Sequence, residues 1–299
     1  MDKIVECVPN FSEGRRTEVL DAIIAEIKAV DGVRFLDQTH DHDHNRAVFT
    51  FIGEPKPMKK AVFAAVAKAA ELINMEKHTG EHPRIGATDV VPFIPIKNMS
   101  IDECVTLARE VGQEIGEKLQ IPIYLYEAAA TREDRRNLAK VRKGQYEGLK
   151  EAIQTDPNRK PDFGPDKLHP TAGATVVGAR MPLIAYNVNL DTNDLNLAKR
   201  IATTIRERDG GFKNVKALGL EIKERGIVQV SMNLTNYQVT PVYSVFDRIA
   251  ELALEAGVKV LESEVIGLIP LAAMVECAQH YLKALEFKND QLLEPRVWE

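Results

Sequence analysis

The residues of this chain best suited to chemistry lie in one short stretch, Gly80 to Asp89 (GEHPRIGATD). His82 sits there between Glu81 and Pro83, with Arg84 next along. An imidazole ordinarily titrates near neutrality, so it can take and give protons at working pH. Glycine relaxes φ, and a residue before proline is held extended, so the stretch predicts a stiff loop presenting His82. The same residues also allow a plain surface loop whose histidine caps a helix or pairs with Glu81.

A second cluster is His40-Asp41-His42-Asp43-His44. Imidazole and carboxylate both bind divalent ions, but this spacing converges on one ion only if the backbone curls suitably. No HExxH-type spacing accompanies it, so it reads as an acidic, hydrated turn without a metal. Asn45 and Arg46 directly follow, open a strand and are placed to face a ligand. Neither GxxxxGKS, GxGxxG nor GxSxG occurs. Tyr186, Asn187 and Asn189 share one strand, with Ser231, Asn233 and Asn236 on or just after its neighbour. They suit a polar groove, or equally satisfied amides at sheet ends.

The elements around these groups follow from periodicity. Ile4 to Val8 is a strand, and Ser12 caps a helix through Val19, Leu20, Ile23, Ile24 and Ile27 that ends at Gly32. Val33–Leu36 and Ala47–Ile52 are strands, Pro55–Met75 is an amphipathic helix, and Asp89–Ile96 is a strand. Ser100–Leu119 adds a helix and Pro122–Tyr126 a short strand. A similar order returns later. Leu183–Leu190 is a strand, Asp191 caps a helix to about Arg208, and Val215–Ile222 with Ile227–Leu234 forms a hairpin. Pro241 opens a helix to Ala256 with Gly257 as its cap. A closing strand lies within Val258–Ile269, and a helix runs from about Leu271 to Leu285. The closing segments DVVPFIPI (89–96) and EVIGLIPL (264–271) are alike. The expected fold class is α+β: two tandem βαββαβ, ferredoxin-like lobes, residues 1–180 and 181–299, each a mixed sheet with helices on one face. Pro92 and Pro95 place their strand at a sheet edge, because proline donates nothing to a ladder.

Residues 127–182 differ in composition. Arg132, Arg135, Arg136, Lys140, Arg142 and Lys143 form a basic helical stretch, followed by a segment rich in proline and glycine. Phe163, Leu168 and the apolar run at 174–177 are too hydrophobic for a free linker, which favours a binding loop.

Composition bounds the rest. The chain has 299 residues, 44% hydrophobic and 28% charged, as expected of a globular protein. A net charge of −5 argues against a general nucleic-acid binder. Cys7, Cys104 and Cys277 form no CxxC and read as reduced thiols. No signal-type stretch or apolar run of ~20 residues occurs, so a cytoplasmic protein is expected.

The segments VECVPNFSEG (5–14), GEHPRIGATDVVPFIP (80–95), PDFGP (161–165) and GATVVGAR (173–180) resemble the glutamate formimidoyltransferase family, the transferase half of formimidoyltransferase-cyclodeaminase. The resemblance covers essentially the whole chain, and a cyclodeaminase part is not expected. It implies folate-dependent transfer of a formimino group from N-formimino-L-glutamate to N5 of tetrahydrofolate in histidine breakdown. It also implies a ligand tunnel between the lobes, a homodimer and no metal. The family's catalytic histidine falls on His82. Its folate-contacting segment falls on Phe163, Gly164, Pro165, Asp166, Lys167, Leu168, His169, Pro170, Thr171 and Ala172. Between Asp166 and Thr171, and across His40–His44, the residues depart from the family's usual ones. A second acid–base group is therefore open, with Asp37 and Asp41 nearest. Asn10 and Arg84 are further substrate-binding candidates; Arg84 holds a carboxylate or braces the loop against Asp89. The interlobe basic residues are placed to meet a folate glutamate tail. One imidazole near its ordinary pKa would remove a proton from N5 and return it to the departing nitrogen. The alternatives are a metal-dependent amidine hydrolase using His40, His42 and His44, and a non-catalytic folate-binding protein.

Overall fold

The computed structural model describes residues 3–284, 286–288 and 291–293. The chain divides into two compact units, Met1–Met181 and Pro182–Glu299.

In the first unit, strands β1 (Ile4–Cys7), β2 (Asn10–Phe11), β3 (Val33–Asp41), β4 (Arg46–Gly53), β5 (Thr88–Lys97), β6 (Ile123–Glu127) and β7 (Thr175–Ala179) form one mixed sheet. β4 pairs antiparallel with β1, β2 and β3, and β5 antiparallel with β1 and β2. On its other side β5 pairs parallel with β7, which also pairs parallel with β6. β7 carries the apolar run at 174–177 and is buried on both faces, so that run is an interior strand.

Helices α1 (Thr17–Lys28), α2 (Pro55–Leu72) and α3 (Ile101–Lys118) bury their apolar stripes against one face, where Val91, Phe93, Leu125 and Val177 point. α2 turns Ala61, Ala65 and Ala69 inward, and side chains this small allow a close approach. α3 starts on a reciprocal capping box between Ser100 and Glu103. The opposite face is covered too. Val141 of α4 (Leu138–Val141) and Leu149 and Ile153 of α5 (Gln145–Thr155) pack on Val90, Tyr124 and Val176. Helices on one face only therefore do not describe this unit.

Nor is the strand bearing Pro92 and Pro95 an edge. Pro92 lies between β1 and β7, and its carbonyl accepts a hydrogen bond from the Val8 N–H. Pro95 lies beyond the end of the β7 ladder, which stops at the Phe93–Ala179 pair. Each proline thus stands where its missing N–H leaves the pairing intact.

The second unit runs β8 (Ile184–Leu190), α6 (Leu195–Ile205), β9 (Val215–Ile222), β10 (Ile227–Leu234), α7 (Val242–Glu255), β11 (Val260–Ile266) and α8 (Leu271–Leu282). Its strands pair antiparallel in the order β11-β8-β10-β9, over one core shared with the three helices. The strands β5, β1, β4 and β3 of the first unit stand in the same fourth–first–third–second order.

Several ends differ from the sequence expectation. Asp194, not Asp191, caps α6 by accepting from the N–H groups of Asn196 and Leu197. The last helix stops at Leu282, and Leu285 and residues 294–299 lie outside the described residues. Gly267, at φ 75°, ends β11, so EVIGLIPL is strand only in its first part, whereas DVVPFIPI is strand throughout. The three cysteines are free, and among the described residues no helix is long and apolar enough to cross a membrane.

Candidate active site

His82 lies in the loop between α2 and β5 and lines a narrow cleft. β2 supplies Asn10 and Phe11 to its wall, the β3–β4 turn His44 and Asn45, and the start of β4 Arg46. His78, Arg84 and Asp89 complete the wall with Ser12.

Close backbone packing makes the loop stiff. A Cβ on Gly80 would sit 2.3 Å from the His44 carbonyl oxygen, and one on Gly86 2.0 Å from that of Ala174. Neither glycine has positive φ, so both are needed for approach, not for the conformational freedom the sequence suggested. Ser12 Oγ donates to the Gly86 carbonyl at 2.7 Å, which ties the loop to β2. Ser12 therefore does not cap α1. The N-cap position is Arg16, which has no side-chain cap, and the Glu13 carboxylate accepts the N–H groups of Gly14, Arg15 and Arg16 in the turn just before the helix.

Two guanidiniums line the pocket, and their partners differ. Arg84 is buried with all five N–H donors engaged. Nε donates to His78 Nδ1, Nη1 to Gln145 and Glu147, and Nη2 to Glu147 and the His78 carbonyl. It braces the loop against α5, not against Asp89. Arg46 directs Nε and Nη2 at Asn10 Oδ1, at 2.9 and 2.6 Å, while Nη1 has no partner among the described residues. Asn10 is buried, and its own Nδ2 donates to the Val8 carbonyl.

Behind them Arg142 pairs with Asp89, whose other oxygen accepts the Ile85 N–H. Arg142 Nε is buried without an acceptor among the described residues. Burial, with the positive charges of Arg46 and Arg142 and with His44, pushes the His82 imidazole down to about 3. Burial and then Arg142 lower Arg46 to about 10. His82 is therefore neutral at physiological pH, not poised near its ordinary value.

The histidine run forms the end of β3 and the turn to β4. Asp41 accepts from the backbone N–H of His44 and meets its Nδ1 at 2.8 Å. The His44 ring lies edge-on to His82, with centroids 6.4 Å apart. Among the described residues no three His, Cys, Asp or Glu side chains are grouped to hold a metal ion.

A family model described as "Formiminotransferase domain, N-terminal subdomain" matches residues 4–180, and one described as "Formiminotransferase domain" matches residues 185–293. The chain belongs to the formiminotransferase family. Glutamate formimidoyltransferase of Streptococcus pyogenes serotype M1 is 49% identical over 295 residues, covering 98% of each chain. The Thermoplasma acidophilum protein of that name is 46% identical over 296 residues, covering 98% of this chain and 97% of that one. Formimidoyltransferase-cyclodeaminase of Gallus gallus is 43% identical over 289 residues, 95% of this chain and 53% of its own.

The segment 163–172 of this formiminotransferase does not line the His82 pocket. Phe163 pairs with Ile123 of β6 and packs beside Gly112 and Gly116 of α3, and Leu168 joins the core. Asp166 pairs with Lys160, while Gly164, Lys167 and Pro170 are exposed. His169 turns the chain, its Nδ1 accepting from the N–H groups of Thr171 and Ala172. The Thr171 and Ala172 carbonyls then accept from Met75 and Ala87. Its second half thus runs beside the loop that carries His82.

The basic stretch is largely consumed internally. Arg135 pairs with the equally buried Asp162, Arg136 with Glu133, Arg132 with Asp134 and Arg142 with Asp89. Only Lys140 and Lys143 stand exposed without such pairs among the described residues. In the second unit Asn187, Asn189, Ser231 and Asn233 share the sheet face opposite the helices, while Tyr186 turns into the core. Gln229, which the sequence did not single out, bonds Asn189 and Glu264 there, and Asn187 and Asn189 donate to Glu264 and Glu262, so these three amides are satisfied in place.

Sequence reasoning also missed His78, Gln145, Glu147 and the place of Arg142. Their partners lie up to 63 residues away, and a basic stretch carries no signal that one arginine in it reaches β5.

Proposed function

We propose that this chain transfers the formimino group of N-formimino-L-glutamate to N5 of tetrahydrofolate, with His82 moving the proton. The observation that supports this is a neutral, half-buried imidazole beside two guanidiniums in a chain of the formiminotransferase family. Bound tetrahydrofolate supplies the nucleophilic amine. His82, being unprotonated, accepts the proton that nitrogen sheds as the new C–N bond forms, and returns it to the departing glutamate nitrogen. The donor's carboxylates offset the guanidinium charge at Arg46 and Arg142, which lifts the basicity of His82 when substrate is bound. Alignment of the two substrates beside His82 contributes further. The segment 163–172 serves the folate from beside the loop, with the exposed Lys167 ammonium offered to its glutamate tail. The fourth–first–third–second strand order supports a ferredoxin-like reading of both units.

The test is a spectroscopic assay for 5-formiminotetrahydrofolate or its cyclised 5,10-methenyl product. His82→Ala is expected to keep folate binding and lose ~10²–10⁴-fold in turnover. Turnover unchanged by that substitution removes His82 from the mechanism.

A further inference from the structure

The two pocket arginines are not equivalent, and their donor counts separate a brace from a binding group. Arg84 has no N–H left for a ligand, since each of its five is directed at a side chain or carbonyl of this chain. Arg46 gives one of its hydrogen-bonding edges to a single neutral oxygen, Asn10 Oδ1, and leaves Nη1 without a partner among the described residues, in the pocket that His82 also lines. The carboxylates that act on it are Asp41 and Asp89, and neither bonds to it. Asp41 is taken by His44, and Asp89 by Arg142 and the Ile85 N–H. Arg142 adds a second, largely buried guanidinium, whose Nε lacks an acceptor among the described residues. Burying cations this close together is costly unless an anion joins them.

We propose that Arg46 is the specificity-determining residue for the donor, its open guanidinium edge receiving a carboxylate of the glutamyl substrate beside His82, with Asn10 as the positioning residue. This rests on the formimino-transfer reading. A guanidinium edge matches a carboxylate in a bidentate pair, which a neutral substrate would not satisfy. Asn10 fixes the direction of that edge, because Oδ1 takes both Nε and Nη2 while Nδ2 is anchored to the Val8 carbonyl. The carboxylate also sets the transferable carbon near the imidazole that must move its proton.

Steady-state kinetics on the full chain, with tetrahydrofolate affinity measured separately by fluorescence, test this. Arg46→Met is expected to raise KM for N-formimino-L-glutamate ~10²-fold while tetrahydrofolate affinity moves less than ~3-fold. It also removes one of the charges holding His82 down. The other two, Arg142 and His44, stay in place, as do His78, Arg84 and Asp89 around the pocket, so the acid limb of kcat/KM moves to higher pH. Arg46→Lys keeps the charge but loses the planar edge. It should leave the pH limb in place and recover part of the KM. Asn10→Ala should raise donor KM ~10-fold with kcat and the pH limb unchanged. A donor KM within ~3-fold of wild type for Arg46→Met, or a loss that falls on tetrahydrofolate instead, overturns the assignment. Calorimetry with L-glutamate alone separates this from failure of the formimino-transfer reading. Glutamate bound by wild type and lost in Arg46→Met supports Arg46 even without turnover. Wild type that binds no L-glutamate at millimolar concentration overturns it.

Discussion

At the scale of single residues, the decisive quantity is the charge state of His82. The sequence presents the ring near neutrality, and the fold moves it. Burial and the positive charges of Arg46 and Arg142 hold it unprotonated. This has a thermodynamic consequence whose sign is fixed. An unfolded imidazole titrates near ~6.5, above the folded ring at about 3, so the unfolded chain takes up the proton first as pH falls. The stability tied to the neutral ring is complete above ~6.5 and declines as pH falls toward 3. His78, half-buried and beside Arg84, and His169, half-buried, are also lowered and add in the same direction. The thermal midpoint should therefore fall between pH 7.5 and pH 5, and His82→Gln, which cannot titrate, should show a smaller fall. Equal falls in the two proteins would mean that His82 is protonated in the native state. The identity of the key ring was readable from its neighbours in the chain, because proline and glycine act locally. Its basicity was not, because the charges that set it come from β4 and from the end of α4.

At the scale of elements, the loop between α2 and β5 holds its shape through backbone contact with the β3–β4 turn and with residues 172–174. Gly86→Ala should therefore destabilise the chain by about 1–3 kcal/mol, because the added carbon meets the carbonyl oxygens of Ala174 and Ala172, which the Gly86–Gly173 bridge and the Ala87–Ala172 hydrogen bond hold close. A chemical-denaturation midpoint unchanged from wild type would show that the loop yields. The elements themselves were largely legible. Helical periodicity marked α1, α2, α3, α6 and α7, and the capping box at Ser100 is local chemistry. What local patterns missed was decided by distant partners. Pro92 reads as an edge residue until β7, some eighty positions on, is seen to pair parallel beside it. Ser12 reads as a cap until the Gly86 carbonyl is found to take its hydroxyl. Arg135 and Arg142 read as part of a surface for anions until Asp162 and Asp89 appear as their partners.

At the scale of the whole molecule, the two units have separate cores and separate sheets. No strand pairing joins Met1–Met181 to Pro182–Glu299 among the described residues. The charged groups that act on His82, namely Arg46, Arg142 and His44, all belong to the first unit, as do the pocket residues Asn10, His78, Arg84 and Asp89. A chain of that unit's length buries enough surface to fold by itself. Residues 1–181 expressed alone should then unfold cooperatively and keep His82 in its depressed state. Nuclear magnetic resonance of the imidazole carbons would read this, with the His82 signals of the fragment at pH 5 remaining those of a neutral ring, as in the full chain. A fragment that folds but shows a protonated His82 at that pH would mean that residues 182–299 supply part of the field or of the burial. The electrostatics would then have to be redrawn around both units, and donor recognition by Arg46 would have to be measured with the second unit present.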